Sequence, residues 1–592
     1  MPDRVTPEFD LLSCQQAPTG LIFKELQMRN DDETRNGVAR KISSRAPESG
    51  ARPAIEPSSE APSSYADRKR SVSALVEEGS ALFKGLASRK VPRSRRIFVN
   101  RTLRMDLVEA VGFDMDYTLA VYHHRRIESL AYRMTTKALV EKKGYPESVL
   151  DLAYQPDSVI RGLVIDKQLG NTFKMDRHYH VARVHHGRRP LTKEERVERY
   201  RKQKIKLSSR RYVWVDTLFG LPEAALYADL VDLFDKRSRV SGDKVDYAAL
   251  YDDVREMIDG VHRDGSLKRL VEQDLPYYIM RDPDLGSTLH RLRSSGKRLF
   301  LLTNSPWDYT NAVMAFLLDG VLAEYPTWRS YFDLVIVGAK KPSFFGDRNP
   351  FRKVGIETGD VLDEDAVVER GAVLEGGNLW ALESATGWEG DRVLYVGDHI
   401  YGDILRTKRS GMWRTALVVQ EVEDEVRYIE ARRRDLMLLQ QLEELRQAID
   451  DEIAVQKALV ADLDRSIERG AALHPLKAMV AACPAKTAGD ELQRTHREAR
   501  ANLDKLKRAL RDILAGIQEL GDDIHRGMNP SWGMVFKEGH ENSRFAEQMK
   551  AYACVYTGRV SNLLAYSPLR YFRSRPSPMP HERWEQGSLI QD

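Results

Sequence analysis

Asp114 and Asp116 flank a single residue in Val111-Gly112-Phe113-Asp114-Met115-Asp116-Tyr117-Thr118-Leu119, after the apolar lead-in Leu107-Val108-Glu109-Ala110-Val111. The lead-in reads as a buried strand reaching its carboxyl end, and in open α/β sheets that end is where ligands bind. Residues two apart on an extended chain face the same side, so both carboxylates can enter one crevice if extension persists past Asp114. A carboxylate pair suits a hard cation such as Mg²⁺, which takes one or two protein carboxylates and leaves its other positions to water or phosphate. Taken alone, the stretch reads as readily as a surface turn with two solvated acids.

Three more polar clusters follow at the ends of apolar runs. Residues 297–302 run into Thr303-Asn304-Ser305, and residues 332–337 lead to Lys340-Lys341-Pro342. Residues 392–396 end at Gly397-Asp398-His399-Ile400-Tyr401-Gly402-Asp403, and residues 414–419 form a further strand-like run. A doubly wound parallel α/β sheet would gather these ends along one edge. Each cluster has a bland use: a helix cap at 303–305, surface charge at Lys341, an ordinary turn at Gly397-Asp398. Their joint appearance in order points instead to phosphoryl chemistry. Asp114 would be the nucleophile, forming an aspartyl-phosphate, and Asp116 the acid and base serving the leaving oxygen and then water. Thr303, Asn304 and Ser305 offer donors to phosphoryl oxygens, and Lys341 supplies a point charge between Asp114 and the phosphate. Asp398, supported by Asp403, would complete a Mg²⁺ site with Asp114 and the backbone carbonyl of Asp116.

The rest of the chain must position these groups. At 592 residues with 42% hydrophobic and 30% charged residues, it is long enough for more than one sizeable core. Its 92 basic and 88 acidic residues nearly balance, which argues against general nucleic-acid binding. Three scattered cysteines, Cys14, Cys483 and Cys554, build neither a disulfide framework nor a metal-ligand spacing. No apolar run approaches the length of a membrane span and no leader pattern stands at the start, so a cytoplasmic protein without membrane partners is expected.

Residues 1–95, rich in Pro, Ser, Arg and Glu, read as a mostly disordered tail. Residues 96–122 and 286–420 carry the core pattern. Residues 123–285 form an insertion too long for a simple crossover, placed where an α/β cap would cover the site and select substrate. It is expected to hold a helix over 127–143 stopped by Gly144, a strand at 161–166 with a paired strand through 170–176, a basic polar stretch to Arg211, and helices over 222–234 and 247–261. Residues 421–528 read as a helical hairpin. Leu503, Leu506, Leu510, Ile513, Ile517, Leu520 and Ile524 make a heptad seam, and Leu442, Leu445, Ile449, Ile453, Leu459, Leu463 and Ile467 a looser one. Residues 529–585 form a closing segment that packs on the core.

The four clusters resemble the signature motifs of the haloacid dehalogenase superfamily, and more narrowly the chain resembles the cytosolic purine 5′-nucleotidases that prefer IMP and GMP. Residues 112–122, Arg161-Gly162-Leu163-Val164, Thr217-Leu218-Phe219 with Leu221-Pro222-Glu223, and Ser567-Pro568-Leu569-Arg570-Tyr571-Phe572-Arg573 with Met579-Pro580-His581-Glu582 carry the likeness, which runs from about residue 95 to 585. It implies Mg²⁺-dependent hydrolysis of purine nucleoside 5′-monophosphates by a homo-oligomer, a dimer or tetramer. Nucleoside phosphotransfer is a companion activity wherever an alcohol replaces water. It also implies that Phe219 and His262 sandwich the base, that Arg255 and Asp259 read its polar edge, and that Lys268 helps at the phosphate. Independently, Arg255, Asp259 and His262 share one helix face, an arrangement that an ordinary salt bridge would also produce. The implied effector site falls at Lys206, Tyr401 and Arg409, but Asp216 and Gly220 replace family asparagines and Tyr401 a phenylalanine. A carboxylate at Asp216 would repel a nucleotide phosphate, which puts activation by nucleotides in doubt. Two other readings stay open: a phosphatase of another small phosphomonoester, and a coiled-coil scaffold with a vestigial phosphatase domain.

Overall fold

The structure is a computed structural model that describes residues 74–75, 91–203, 205–364, 366–468, 485–576 and 579. Most of the expected tail therefore lies outside the described residues. Two compact units divide the chain: residues 1–92 with 206–210, and residues 93–205 with 211–592. In the first, Lys206 carries an exposed side chain and its carbonyl accepts from Ser209 N at 2.9 Å.

The second unit is built on a ten-stranded sheet. In chain order its strands are β1 (Phe98–Val99), β2 (Ala110–Phe113), β3 (Arg298–Leu302), β4 (Leu334–Val337), β5 (Phe351–Val354), β6 (Val361–Asp363), β7 (Val373–Gly376), β8 (Val393–Gly397), β9 (Arg414–Val418) and β10 (Val555–Thr557). Their spatial order is β1-β10-β9-β8-β2-β3-β4-β7-β5-β6. Every pairing from β10 to β7 is parallel, and only β1, β5 and β6 pair antiparallel at the two edges. Side chains alternate between two cores: Val111, Leu299, Leu301, Val335, Leu394 and Val396 enter one, while Ala110, Phe300, Leu302, Leu334, Ile336 and Tyr395 enter the other. Burial on both faces explains why these strands read as continuous apolar runs rather than alternating ones. This is the expected doubly wound, mostly parallel sheet.

Strand β2 begins at Ala110, three residues later than the apolar lead-in suggested. Leu107 is 46% exposed and lies in a turn. The chain leaves the core at Val121–Tyr122 and returns at Ile279–Met280, which pair antiparallel. Between them lie α1 (His124–Lys143), α2 (Leu221–Ser241), α3 (Tyr247–Arg263), α4 (Ser266–Gln273) and a five-stranded antiparallel sheet. Gly144, at φ 70°, supplies the left-handed turn that stops α1. The basic stretch before Arg211 is more ordered than expected: Val181–His186 pairs with Asn171–Met175, and Lys193–Tyr200 is a helix opened by a Thr192/Glu195 capping box.

Beyond the core, α5 (Arg433–Glu468) packs against α6 (Ala485–Met528), the expected hairpin pair. The breaker stretch between them is outside the described residues from 469 to 484. Leu503, Ile524, Ile453 and Leu463 are buried in the seam, but Leu445 and Ile467 are exposed, so the looser heptad is only partly a seam. The chain then re-enters the core, since β10 lies between β1 and β9.

Candidate active site

Asp114 follows β2 directly. Its backbone N–H donates to Val396 O at 2.9 Å, carrying the parallel register to the end of the strand. The chain then folds tightly instead of staying extended: Thr118, Leu119 and Ala120 N–H groups all converge on Met115 O, with Tyr117 at φ 56°. The two acids consequently part company. Asp114 Oδ1 accepts from Met115 N at 2.8 Å and lies 2.9 Å from Lys341 Nζ. Asp116 Oδ1 instead accepts from Tyr122 OH at 2.5 Å, and its Oδ2 from Ser305 Oγ at 2.6 Å.

Residues 397–403 close the site from the end of β8. The carboxylates of Asp114, Asp398 and Asp403 each place an oxygen within 4.8 Å of the others, and all three are buried. Lys341 Nζ bridges Asp114 to Asp403 Oδ1 at 2.8 Å and donates to Tyr395 OH at 3.0 Å. Burial, then repulsion from Asp403, pushes Asp398 up to about 7. Burial likewise raises Asp114 well above the usual carboxylate range: Asp403, Asp398 and Asp116 add to the shift and Lys341 opposes it. Lys341 stays charged, because Asp114 and Asp403 outweigh the burial that opposes its charge. The raised carboxyl values record acids crowded together in a buried place, a crowding that an added cation would relieve. Asp398 Oδ2 is also a buried acceptor with no hydrogen-bond partner among the described residues. An all-oxygen set of crowded acids with an orphaned oxygen fits a hard divalent cation such as Mg²⁺. Asp114, Asp398 and Asp403 would supply its carboxylates, while the Asp116 side chain is engaged elsewhere.

Thr303, Asn304 and Ser305 do not cap the helix that follows, Trp307–Leu318. Its N-cap is Pro306, and Thr303 Oγ1 accepts from Ser305 N at 3.1 Å. Asn304 is exposed and braces the lysine loop, its Nδ2 donating to Lys341 O at 3.0 Å and its Oδ1 accepting from Lys341 N at 2.5 Å. From the cap, Lys268 Nζ donates to Ser305 Oγ at 2.9 Å, which brings α4 onto the core site.

On α3, Arg255 Nε donates to Asp259 Oδ2 at 3.0 Å and its Nη1 to Glu223 Oε2 at 2.7 Å. Glu223, buried on α2, also accepts from Tyr251 OH. Phe219 meets His262 edge to face, with centroids 5.6 Å apart and planes at 86°, and meets Tyr117 at 4.6 Å. A base held between Phe219 and His262 therefore requires the two rings to turn parallel and part. Burial, helped by Lys268, lowers His262 to about 4, so its ring is neutral near pH 7.

Of the implied effector residues, Tyr401 accepts a hydrogen bond from Arg406, whose guanidinium lies over its ring, and Arg409 is exposed. Lys206 belongs to the other unit. Asp216 Oδ2 is 3.3 Å from His399 Nε2. Sequence reasoning missed Glu223, Tyr122 and Tyr309 as parts of the site. The first two stand inside stretches that carry the resemblance, yet nothing in their spacing marks them: Glu223 meets Tyr251 and Arg255 from another helix, and Tyr122 reaches Asp116, six residues back, only because the chain turns tightly after Asp114.

Fold and site together define an α/β protein with a buried, lysine-bridged aspartate cluster, compatible with a cation site, at the carboxyl ends of parallel strands. The sequence profile of the 5′ nucleotidase family matches residues 97–584, and the chain belongs to that family. A 5′-nucleotidase domain-containing protein of Dictyostelium discoideum is 28% identical over 493 residues, 82% of this chain and 74% of that protein. The 5′-nucleotidase domain-containing protein 2 of Homo sapiens is 31% identical over 504 residues, 82% of this chain and 85% of its own. Its counterpart in Rattus norvegicus is 30% identical, covering 82% and 80%. Among solved structures, a 2-haloacid dehalogenase from Pseudomonas syringae pv. Tomato DC3000 covers 52% of this chain and 86% of its own, at 15% identity and a TM-score of 0.18. That score is too low to bear on fold or function.

Proposed function

We propose that this chain is a Mg²⁺-dependent haloacid dehalogenase-type 5′-nucleotidase. It hydrolyses purine nucleoside 5′-monophosphates of the IMP and GMP type to nucleoside and phosphate. The observation that carries the reading is the Asp114–Lys341–Asp403 bridge beside the orphaned Asp398 oxygen, a buried arrangement that a scaffold has no need to maintain.

Asp114 Oδ1 takes two donors, Met115 N and Lys341 Nζ, which fixes the carboxylate plane and leaves Oδ2 to attack phosphorus. Lys341 holds charge on the path between nucleophile and phosphoryl oxygens. Thr303 and Ser305, at the end of β3, together with Lys268 from the cap, supply further donors. When bound, Mg²⁺ would neutralise phosphate charge that the acids would otherwise repel. Asp116 protonates the leaving 5′ oxygen and afterwards takes the proton of the attacking water. In the cap, the Arg255–Asp259 pair presents donors beside an acceptor, complementary to the acceptor and N–H of a 6-oxopurine edge, while Glu223 fixes the guanidinium.

The test is a steady-state phosphate-release assay with Mg²⁺ on IMP, GMP, AMP and pyrimidine monophosphates. IMP and GMP should turn over fastest, and Asp114→Asn should lose at least about 10⁴-fold in kcat while still binding nucleotide. No turnover on any monophosphate would sink the reading. Turnover without base preference would move it to another small phosphomonoester.

A further inference from the structure

We propose that Tyr122 is the positioning residue that aims the proton of Asp116 at the leaving oxygen, and that Tyr309 holds Tyr122 in place. The inference rests on the phosphatase reading above and deepens it.

Both oxygens of Asp116 have donors, but of different kinds. Ser305 Oγ, on Oδ2, has one proton and is itself contacted by Lys268 Nζ at 2.9 Å. It cannot donate that proton to Asp116 and to a phosphoryl oxygen at once, so it leaves Oδ2 when phosphate arrives. Tyr122 OH, on Oδ1 at 2.5 Å, has no such competing task. Among the described residues its only other polar contact is Tyr309 OH at 2.8 Å, and since the Tyr122 proton goes to Asp116, Tyr309 is the donor in that pair. Both rings are buried, Tyr122 at 2% and Tyr309 at 3% exposure. The Tyr122 hydroxyl thus has one acceptor and one donor fixed from two places in the fold, Asp116 in the turn after β2 and Tyr309 on the helix Trp307–Leu318.

With Oδ1 anchored, Oδ2 is the oxygen that carries the proton. In the first half-reaction the Asp114–phosphorus bond forms, the bond from phosphorus to the leaving oxygen breaks, and the proton passes from Asp116 Oδ2 to that oxygen. In the second, water oxygen bonds to phosphorus, the Asp114–phosphorus bond breaks, and the water proton returns to Asp116. A loosely held acid costs most where the leaving group most needs a proton.

The test uses the full chain with Mg²⁺ and two esters that carry no base, phenyl phosphate and p-nitrophenyl phosphate. It compares kcat/KM, which covers the steps up to the aspartyl-phosphate. Tyr122→Phe should lower kcat/KM for phenyl phosphate about 10- to 100-fold, and that for p-nitrophenyl phosphate, whose leaving group needs no proton, less than about threefold. Tyr309→Phe should shift the same ratio in the same direction by about three- to tenfold, and it carries the test alone should Tyr122→Phe fail to fold. Equal losses on both esters, or none, would overturn the role of Tyr122 and leave the phosphatase reading standing. A wild-type chain inert on both esters and on the nucleotides would overturn both.

Discussion

Asp398 Oδ2 and Lys341 Nζ show in miniature how this site is held together. One is a buried acceptor without a donor among the described residues and the other a buried ammonium with two carboxylates. Buried groups of this kind persist where a charged ligand completes them. His399, next in the chain, solves the same problem without a ligand. Burial disfavours its charge, but Asp216, with Asp403 and Asp398 behind it, raises it to about 9. Its folded value lies above the ordinary 6.5, so the pair contributes stability in full below about pH 6.5 and loses it as pH rises through 9. Without divalent cations, Asp216→Asn should therefore lower the Tm by roughly 2–4 °C at pH 6, with the gap closing by pH 10. A gap unchanged across that range in thermal melts would mean that the pair does not carry the effect. The same pair means that Asp216 meets a cationic partner inside its own chain.

The loop after β8 is the element on which the candidate cation site depends. A Cβ added at Gly397 would lie 2.5 Å from Asp403 Oδ2 and 2.6 Å from its Cβ and Cγ, so only glycine lets Asp403 turn back beneath the strand end. Gly397→Ala should leave the sheet folded yet weaken Mg²⁺ binding by about 10- to 100-fold, as displaced supporting contacts do at metal sites. Calorimetric titration of Mg²⁺ would read this directly, and wild-type affinity would refute it. The order of the polar clusters was legible because each strand of a parallel sheet is an unbroken apolar run that stops where the site begins. The turn after Asp114 was not. Whether residues two apart face one crevice depends on Tyr117 entering the left-handed region, which no spacing reveals. On α3 the common face of Arg255, Asp259 and His262 was legible from helical periodicity, but the clamp by Glu223 from α2 was not.

At the scale of the molecule, the closing segment is structural. β10 is hydrogen-bonded between β1 and β9, Tyr571–Phe572 pairs with Leu103–Arg104, and the ammonium of Lys174 in the cap sheet donates to the carbonyls of Trp532, Met534 and Lys537. The hairpin between core and closing segment is by contrast held near its base, where Tyr428 OH donates to Ile524 O at 2.7 Å and Arg432 pairs with Asp523, and by one ion pair further up, His540 Nε2 to Glu443 Oε1 at 2.9 Å. Its two ends are thus adjacent. Excising Arg432 to Ile524 and joining the ends through a short linker should leave phosphate release within about threefold of the full chain, whereas truncation after Met528 should give insoluble protein. Sedimentation of the excised chain shows whether the hairpin also sets assembly, and lost catalysis in a soluble, folded product would contradict its dispensability.

The amino-acid sequence by itself determined the architecture and the chemical inventory: apolar runs of strand length, each stopping at Asp114, Thr303, Lys341 or Asp398, and an insertion placed to cover them. Local rules suffice there, because burial on both faces and the reversal of the chain at each strand end leave their mark within a few residues. Tertiary structure alone decided which groups touch. It set Asp114 with Lys341 and Asp403, turned Asp116 toward Tyr122 and Ser305, clamped Arg255 with Glu223, and threaded a strand from residue 555 beside one from residue 98. Those partners lie up to hundreds of residues apart, and a hydrogen bond is a matter of ångströms in space that no periodicity along the chain encodes.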